Sequence, residues 1–289
     1  MNNKEGSSFI SVVHVIWVPY GIELFQRFIT SYRKYSSGHS HELILLFNGV
    51  SKYEEVSPYL DIADSFGIAY KMHIYYGFCQ DIDAYFWIAD KLDSSYLLFV
   101  NSYSEFLAEN WLEKYVMNIA PDVGMIGATG SWQSYYLTVF VNNSWKWNRK
   151  KTLAENIRKY KLLLKAFFYW RYKFPAFPNP HIRTNAFFIN RELLKSIHHG
   201  VLKNKFDAYK FESGQNSITR QIMRKGIDVV VIDRWGNKHR KDGWPASKTF
   251  WISEQENLLI SDNQTNLFVT SDANARSKLT YLAWGQDNL

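Results

Sequence analysis

Short apolar segments alternate with helical segments through the first half of the chain, and this alternation restricts the fold more than any other feature. The apolar segments are rich in β-branched and aromatic residues and cover residues 9–18, 42–47, 69–75, 96–100 and 123–128. Between them, apolar residues recur at helical spacing over residues 22–35, 56–66, 82–92 and 110–119. This pattern predicts a doubly wound α/β fold, with a mainly parallel sheet flanked by helices.

Turn-forming and polar residues follow each predicted strand. They are Pro19-Tyr20, Asn48-Gly49, residues 77–83 and residues 101–105. In parallel α/β sheets, ligands bind beyond the carboxyl ends of the strands. We therefore expect these four strand ends to line a binding cleft.

A basic, aromatic segment at residues 142–180 interrupts the pattern and is predicted to be an insertion. Its helix would carry an apolar face bordered by a basic flank. The face is Leu153, Ile157, Tyr160, Leu164 and Phe168, and the flank is Lys151, Arg158 and Lys165. Such a helix either packs its apolar face on the sheet or lies on an anionic bilayer.

Alternation resumes after the insertion, with predicted strands at 186–189 and 228–232 and predicted helices at 192–198 and 216–225. Residues 1–233 are therefore interpreted as one α/β domain that includes the insertion. Residues 234–289 are polar, contain several Trp residues, and are interpreted as a C-terminal extension that packs on the same domain.

Composition limits the partners and the compartment. The formal net charge of +7 suits an anionic partner such as a nucleotide diphosphate, a lipid headgroup or a nucleic acid. The single cysteine, Cys79, excludes an intramolecular disulfide and favours a reducing compartment. No apolar run approaches the ~20 residues that span a bilayer, and no secretory signal is evident. The expected location is the cytoplasm, with peripheral attachment to the inner face of the membrane left open.

Several segments resemble family 2-type glycosyltransferases of microbial surface-polysaccharide synthesis, which have the GT-A fold. The segments include YLLFVNSYSEFLAENWL, GMIGATGSW, PHIRTNAFFINRELL and FESGQNSITRQI, and the resemblance covers roughly residues 10–231. It implies transfer of a sugar from a nucleotide-sugar donor to a hydroxyl of a glycan or of a lipid-linked acceptor. By the same resemblance, Pro19, Tyr20, Asn48 and Asp83 match positions that hold the nucleotide. Asp83 could equally be an ordinary carboxylate at a helix N-terminus.

The resemblance places the donor diphosphate where this family has a metal-binding DxD motif. Here the corresponding residues are Asn101, Ser102 and Tyr103, and the nearest carboxylate is that of Glu105. Two alternatives stay open. Glu105 binds Mg²⁺ or Mn²⁺, with phosphate and water oxygens completing the coordination. Otherwise, cationic side chains neutralise the leaving diphosphate without a metal.

Candidate cations lie in the second half of the chain. Arg183 precedes a predicted strand, and its planar guanidinium can donate two hydrogen bonds to a phosphate. Its alternative role is to tie strand ends together through a carboxylate. His239 belongs to a basic run, residues 239–241, that could instead be a solvated surface loop. Trp244, the aromatic residue closest to this loop, is a candidate cleft residue.

An inverting transferase needs a carboxylate that removes a proton from the acceptor hydroxyl. The resemblance assigns this role to Glu212 in the segment FESG, with Asp207 as the runner-up. Ser213-Gly214 predicts a turn, which would hold Glu212 at the rim of a loop facing the cleft. A surface carboxylate near a helix start is the alternative.

Two rival functions remain at this stage. The basic and aromatic residues between 145 and 174 would also suit a non-catalytic module that binds anionic lipid or single-stranded nucleic acid. Such a module leaves the polar strand ends without a role, and nucleic acid is the less favoured partner. A nucleotidyltransferase ranks last because it needs an acidic metal pair that the sequence does not present.

Overall fold

The computed structural model of the protein describes residues 9–135 and 152–285. The β-strands in these ranges are β1 (Ile10–Trp17), β2 (Glu42–Val50), β3 (Lys71–Tyr76), β4 (Tyr96–Val100), β5 (Glu105–Phe106), β6 (Val123–Gly127), β7 (Gly130–Ser131), β8 (His181–Ile182), β9 (Ala186–Asn190), β10 (Asp228–Ile232), β11 (Lys238–Arg240) and β12 (Ile260–Ser261). The α-helices are α1 (Ile22–Lys34), α2 (Ser57–Ser65), α3 (Asp81–Ala89), α4 (Trp111–Val116), α5 (Leu153–Lys173), α6 (Arg191–Lys195), α7 (Lys205–Ser213), α8 (Ile218–Arg224), α9 (Trp244–Ser247), α10 (Asn263–Thr270) and α11 (Ala273–Trp284).

Eight strands form the main sheet, in the order β11-β10-β6-β9-β4-β1-β2-β3. Strands β1 to β4 are parallel to one another, and β6 is parallel to β10. Strand β9 runs antiparallel between β4 and β6, and β11 is antiparallel at one edge. The predicted fold class is confirmed, because this is a mainly parallel, Rossmann-like sheet with helices on both faces. Strand β1 lies between β2 and β4, so the strand order reverses there, and this is where such sheets bind ligands.

Alternation along β1 explains why helices cover both faces of the sheet. Val13 and Val15 point into the apolar layer formed with α3, whereas Val12 and Ile16 point into the layer formed with α1. All four side chains are buried. Full burial of such a side chain contributes roughly 1.5–3 kcal/mol. The helices are thus fixed against the sheet, and the carboxyl ends of its strands are held in register.

The sequence prediction was incomplete for two elements that lie near the cleft. The segment Ala186–Asn190 is a strand, as predicted, but it is antiparallel. The segment Lys205–Ser213 is a helix that the sequence pattern did not predict, and the side chain of Asn204 caps it by accepting hydrogen bonds from two backbone N–H groups. Glu212 therefore lies in the last turn of α7, and its predicted place on the rim of a loop is wrong.

The C-terminal segment shares the core of the sheet. Phe250, Phe268 and Trp284 belong to the same buried cluster as Val13 of β1. Strand β12 also pairs with β5, which follows the end of β4. The region after residue 233 is therefore packed against the strand ends, next to the expected cleft.

Helix α5 occupies the described part of the predicted insertion. It begins with a capping box, in which Thr152 and Glu155 exchange side-chain and backbone hydrogen bonds. Most of its predicted apolar face is exposed, namely Leu153, Ile157, Leu164 and Phe168. Lys151, assigned to its basic flank, lies outside the described residues. None of the helices in the described ranges is both long enough and apolar enough to span a membrane.

Candidate functional site

Two adjoining cavities open at the carboxyl ends of β1 and β4. One has a volume of about 400 Å³, and its walls include the rings of Trp17, Tyr20, Phe78, Tyr103 and Tyr209. The other has a volume of about 320 Å³ and is walled mainly by polar side chains. The residues that line both are Asp81, Asn101, Thr184, Lys205, Tyr209, Glu212 and Asn263. We call the two cavities the aromatic chamber and the polar chamber, and together they form the cleft.

The aromatic chamber is built from the end of β1 and two neighbouring loops. The ring of Trp17 lies edge-on to those of Tyr20 and Phe78, with centroid distances of 6.5 and 5.3 Å. The Tyr20 ring lies 5.1 Å from that of Tyr103. Tyr20 remains half-exposed, and Pro19 lies in the 3₁₀ turn that positions it. The chamber thus offers ring faces on which a planar group can stack.

The loop after β4 is fastened to β1 and folded by its own side chains. The Ser102 hydroxyl donates to the carbonyl of Val15 and accepts from the N–H of Trp17, at 2.9 and 2.8 Å. The amide oxygen of Asn101 accepts hydrogen bonds from the Tyr103 N–H and the Ser104 hydroxyl. Asn101, Ser102 and Tyr103 therefore line the cleft, as the sequence predicted, with Ser102 mainly fixing the loop.

Two aspartates at the start of α3 have different environments. Residues two apart on a helix point about 200° apart, so only one of this pair can face the cleft. Asp81 faces it, and Asp83 lies outside it with His199 Nδ1 3.8 Å away. Solvent reaches Asp81 through the cleft, yet the surrounding protein atoms desolvate its carboxyl and raise its pKa from 3.8 to about 6. Asp81 thus occupies the place in the cleft that the resemblance assigns to Asp83.

Asn48 supports the chamber from beneath without lining it. Its amide donates to the Cys79 carbonyl at 2.8 Å and accepts from the Cys79 N–H at 3.3 Å. The side chain of Asn48 is fully buried. These bonds join the end of β2 to the loop that carries Phe78 and leads into α3 at Asp81, so Asn48 sets the position of two cleft residues.

Glu212 reaches the cleft from the last turn of α7. One carboxylate oxygen, Oε2, accepts hydrogen bonds from the N–H and the hydroxyl of Thr184, at 2.8 and 2.6 Å. His181 is buried nearby, and burial lowers the pKa of its imidazole, while the charge of Glu212 partly opposes this effect. Glu212 is therefore an oriented carboxylate at the junction of the two chambers.

Arg183 lines the polar chamber, but its charge is already paired. Its guanidinium lies 2.8 Å from a carboxylate oxygen of the buried Asp262 and 4.3 Å from the Phe250 ring centroid. Asp262 also caps α10 by accepting hydrogen bonds from the N–H groups of Gln264 and Thr265. The arrangement matches the alternative weighed for Arg183, a tie between chain segments through a carboxylate.

Lys205 is the cation that the cleft leaves unpaired. It lies in the first turn of α7, lines both chambers, and forms no ion pair with any residue in the described ranges. Its ammonium group lies 5.7 Å from the ring centroid of Tyr209, one turn further along the helix. A flexible, exposed ammonium at this position can meet an anionic group that enters the cleft.

Four other sequence candidates lie away from the cleft. Glu105 forms an ion pair with Arg27 on another face of the molecule. The His239 imidazole is hydrogen-bonded to the Asp233 carboxylate, with Nε2 3.0 Å from Oδ2. Trp244 is fully buried and donates to the carbonyl of His239. Asp207 pairs with Lys210 on the opposite side of α7, and this ion-pair hydrogen bond holds the pKa of its carboxyl below the usual value.

A resident divalent metal ion would need donor side chains that converge on one point. A hard cation such as Mg²⁺ or Mn²⁺ prefers several oxygen ligands, with carboxylates among them. No three His, Cys, Asp or Glu side chains converge in a metal-binding arrangement within residues 9–135 and 152–285. Glu105 is engaged by Arg27. The side chains of residues 9–135 and 152–285 therefore do not by themselves fit a resident divalent cation.

Sequence reasoning missed Asp81, Lys205, Tyr209 and Thr184. A helical projection of residues 81–89 could have identified Asp81, because Asp81 and Asp83 cannot share a face. No sequence signal separates Lys205 from the other lysines, because its place depends on a helix whose apolar periodicity is weak.

No protein-family model matches this chain, and no curated protein is significantly similar to it in sequence. Solved structures are similar to it at low identity. A mannosyltransferase from Pyrobaculum calidifontis, in complex with GDP-Man and Mn²⁺, is 12% identical with a TM-score of 0.45, over 83% of this chain and 59% of that one. A 4-diphosphocytidyl-2C-methyl-D-erythritol synthase from Anaerococcus prevotii is 12% identical with a TM-score of 0.43, over 78% and 88%.

Glucosyl-3-phosphoglycerate synthase from Mycobacterium tuberculosis, in complex with Mn²⁺, UDP and glucosyl-3-phosphoglycerate, is also 12% identical. Its TM-score is 0.39, over 66% of this chain and 60% of that chain. The chain thus spans about three fifths of the length of the mannosyltransferase and of the synthase from M. tuberculosis. At these identities and scores the likenesses carry no argument about activity, which has to be argued from the cleft itself.

Proposed function

We propose that this protein is a GT-A-type glycosyltransferase that moves a sugar, of the hexose class, from a nucleotide-sugar donor to an acceptor hydroxyl. One observation carries the proposal: an aromatic chamber opens into a polar chamber, and Glu212 lines both. A nucleobase needs ring faces to stack on, whereas a sugar needs hydrogen-bonding groups. The resemblance of residues 96–112 to family 2-type enzymes of surface-polysaccharide synthesis supports the same assignment.

The donor fits the cleft in one direction. Its base stacks in the aromatic chamber against Tyr20 and Tyr103, where the Asp81 carboxylate accepts a hydrogen bond from the base or ribose. The diphosphate then lies at the junction of the chambers, beside Asn101 and Lys205. The sugar extends into the polar chamber, towards Glu212.

Glu212 acts as the general base of the proposed reaction. It takes the proton from the acceptor hydroxyl as that oxygen attacks the anomeric carbon of the donor. The bond from this carbon to the phosphate oxygen breaks, and the electron pair leaves with the nucleoside diphosphate. Direct displacement inverts the anomeric configuration. Lys205 stabilises the negative charge that develops on the leaving diphosphate.

The acceptor is proposed to be a hydroxyl of a glycan or of a lipid-linked saccharide. It enters through the polar chamber, whose walls include Gln133, His181, Asn185 and Gln264. These side chains offer both donors and acceptors, as a sugar with several hydroxyl groups requires. A Mn²⁺ or Mg²⁺ requirement would have to come from an ion that enters with the diphosphate, since the side chains in the described part of the chain form no metal site.

The deciding experiment is calorimetric titration with UDP, GDP, CDP and TDP, with and without Mn²⁺, followed by a hydrolysis assay on the matching nucleotide sugars. We expect one nucleotide to bind more tightly than the others. Glu212→Gln should keep this affinity and lose turnover by about 10²-fold to 10⁴-fold. Asp207→Asn, a matched carboxylate change on the other side of α7, should retain turnover.

The rival hypothesis, a non-catalytic basic and aromatic module, makes the opposite prediction. It expects no nucleotide preference and steeply salt-dependent binding to anionic lipid or single-stranded nucleic acid. An active Glu212→Gln variant would refute the assignment of the base. A chain that binds none of the nucleotides would refute the proposed function as a whole.

A further inference from the structure

The exposed side of helix α5 carries an apolar stripe, which Lys161 and Arg171 interrupt. Five of the seven exposed large apolar residues of the helix form this stripe and are 43–76% exposed, namely Leu153, Ile157, Leu164, Phe168 and Tyr172, whereas Leu162 and Tyr169 lie about 160–180° from Leu153. With about 100° per residue, they fall within an arc of about 100°. A soluble helix normally turns such a stripe towards the core. In α5 the stripe faces outwards, so it needs an apolar partner of its own.

Basic side chains border this stripe along one edge. Arg158 and Lys165 are exposed and fall about 120–140° around the helix from Leu153, just past the stripe, and the exposed Lys161 lies at about 80°, within its arc. None of the three forms an ion pair with a residue in the described part of the chain. The whole helix carries six Lys or Arg residues against the single acidic Glu155. An apolar stripe with a basic edge complements an anionic bilayer, in which acyl chains lie beneath phosphate groups.

The opposite side of α5 is tied to the helix that lines the cleft. The Trp170 ring lies 5.0 Å from that of Phe206 in α7, and Phe174 lies 5.8 Å from Phe206. Tyr135 contacts Trp170 and also Tyr209 of α7, at 5.0 and 5.2 Å. If α5 binds a surface, these ring contacts also hold α7 close to that surface. The mouth of the polar chamber, which α7 lines, then lies close to it as well.

We propose that α5 is a membrane-docking helix that lies in the surface of an anionic bilayer, with its apolar stripe in the acyl boundary and its basic edge on lipid phosphates. Docking holds the cleft at the membrane surface, where a lipid-linked molecule can reach the polar chamber. The proposal concerns surface binding and stands independently of the glycosyl transfer proposed above.

The test measures co-sedimentation of the full chain with phosphatidylcholine vesicles, with and without phosphatidylglycerol. The wild-type chain should bind the anionic vesicles, and added salt should weaken the binding. Lys161→Glu/Lys165→Glu should weaken it at least about 10-fold. Leu164→Ser/Phe168→Ser should weaken it to a similar degree, because both side chains would leave the acyl boundary.

Matched controls separate the helix from the rest of the surface. Lys225→Glu/Lys278→Glu makes the same change in net charge at exposed lysines elsewhere, and it should leave vesicle binding within about 2-fold of the wild type. Leu267→Ser/Val269→Ser removes two residues that are 47% and 50% exposed on α10, and it should also have little effect. Circular dichroism and nucleotide titration without lipid report whether each variant is folded.

Several outcomes would overturn the proposal. One is a wild-type chain that binds neither kind of vesicle. Another is equal binding to both kinds of vesicle that Lys161→Glu/Lys165→Glu leaves unchanged. A further one is a loss of vesicle binding in the Lys225→Glu/Lys278→Glu control that equals the loss in Lys161→Glu/Lys165→Glu, because binding would then depend on net charge alone. The last is a lipid-free dimer that Leu164→Ser/Phe168→Ser dissociates, because the stripe would then be an interface between copies of the chain.

Discussion

Thr184 holds Glu212 through two hydrogen bonds to the same carboxylate oxygen, one from its N–H at 2.8 Å and one from its hydroxyl at 2.6 Å. The second oxygen, Oε1, accepts no hydrogen bond from any residue in the described ranges. One oxygen therefore fixes the orientation of the carboxylate, and the other is left to meet an acceptor hydroxyl. Thr184 is a positioning residue in this arrangement.

Loss of the Thr184 hydroxyl should affect turnover more than binding. We expect Thr184→Val to lower kcat by about 10-fold to 100-fold, because Glu212 keeps only the backbone bond and its orientation loosens. The affinity for the nucleotide should change little. Thr184→Ser keeps the hydroxyl and should restore most of the turnover. Steady-state kinetics of the three proteins measure the effect, and equal kcat values for the valine and serine variants would contradict it.

Asp81 and Asp83 provide a matched pair for the donor site. Asp81→Asn should weaken nucleotide-sugar binding by about 10-fold to 100-fold, the usual contribution of a hydrogen bond to a charged group. Asp83→Asn, two residues away and outside the cleft, should bind like the wild type. Calorimetric titration of both variants distinguishes them. A stronger effect at Asp83 would restore the assignment made from the sequence resemblance.

The affinity for the nucleotide sugar should also depend on pH, through Asp81 and not through Asp83. Desolvation by the surrounding protein atoms raises the pKa of Asp81 to about 6, so its carboxyl gains a proton as the pH falls through about 6. A protonated carboxyl no longer offers a charged acceptor, and the affinity for an intact nucleotide sugar should fall over that range. Asp81→Asn should remove this dependence, whereas Asp83→Asn should keep it.

The sequence predicted the parallel half of the sheet well, because each of these strands is a short apolar run closed by turn residues. It could not predict that Ala186–Asn190 runs antiparallel, since a strand buried on both faces has the same apolar composition in either direction. Helix α7 was missed because its residues show little apolar periodicity. Its position depends on an Asn204 cap and on packing against Trp170.

Tertiary contacts also decided which candidates reached the cleft. Asn101, Ser102, Tyr103 and Tyr20 follow directly from the strand ends, which parallel topology brings together. Trp244 lies near a basic loop in sequence, but its large ring is more stable in the core, where its N–H has a carbonyl partner. Local sequence cannot reveal such a long-range choice.

Lys205 should supply the main cationic contact to the diphosphate. We expect Lys205→Met to weaken nucleoside diphosphate binding by about 10-fold to 100-fold, because a charge-assisted hydrogen bond is lost while most of the side-chain volume is kept. The weakening should diminish at high salt. Lys203→Met, an exposed lysine outside the cleft, is the matched control. Equal affinities for the two variants would place the diphosphate elsewhere.

The buried ion pair between Arg183 and Asp262 should matter for stability. Arg183→Met leaves the Asp262 carboxylate buried without its cation, and we expect the free energy of unfolding to fall by about 3–5 kcal/mol. Adding Asp262→Asn should recover much of this loss, because the amide oxygen can still cap α10 while the buried charge is removed. Urea unfolding of the single and double variants tests the coupling. If the losses of unfolding free energy in the two single variants simply add in the double variant, Arg183 and Asp262 are not coupled.

His14 should make the fold sensitive to mild acid. It is buried in β1 and stacks on Phe28 with a centroid distance of 3.6 Å. Burial lowers the pKa of its imidazole from 6.5 to about 3, and neither ring nitrogen has a hydrogen-bond partner in the described ranges. Between these two pH values the unfolded chain binds a proton at His14 and the folded chain does not. Stability contributed by His14 is therefore fully present above pH 6.5 and is lost as the pH falls towards 3.

Well between pH 3 and pH 6.5, protonation of His14 in the unfolded chain lowers the free energy of unfolding by about 1.4 kcal/mol for each unit by which the pH falls. His14→Leu cannot titrate, so the difference in unfolding free energy between it and the wild type should shift in favour of the variant as the pH is lowered from neutral to about 5. The comparison at each pH cancels the opposing contribution of Asp81, whose raised pKa acts in both proteins. Urea unfolding at a series of pH values measures the difference. A constant difference across the series would mean that His14 is protonated in the folded chain or reached by solvent.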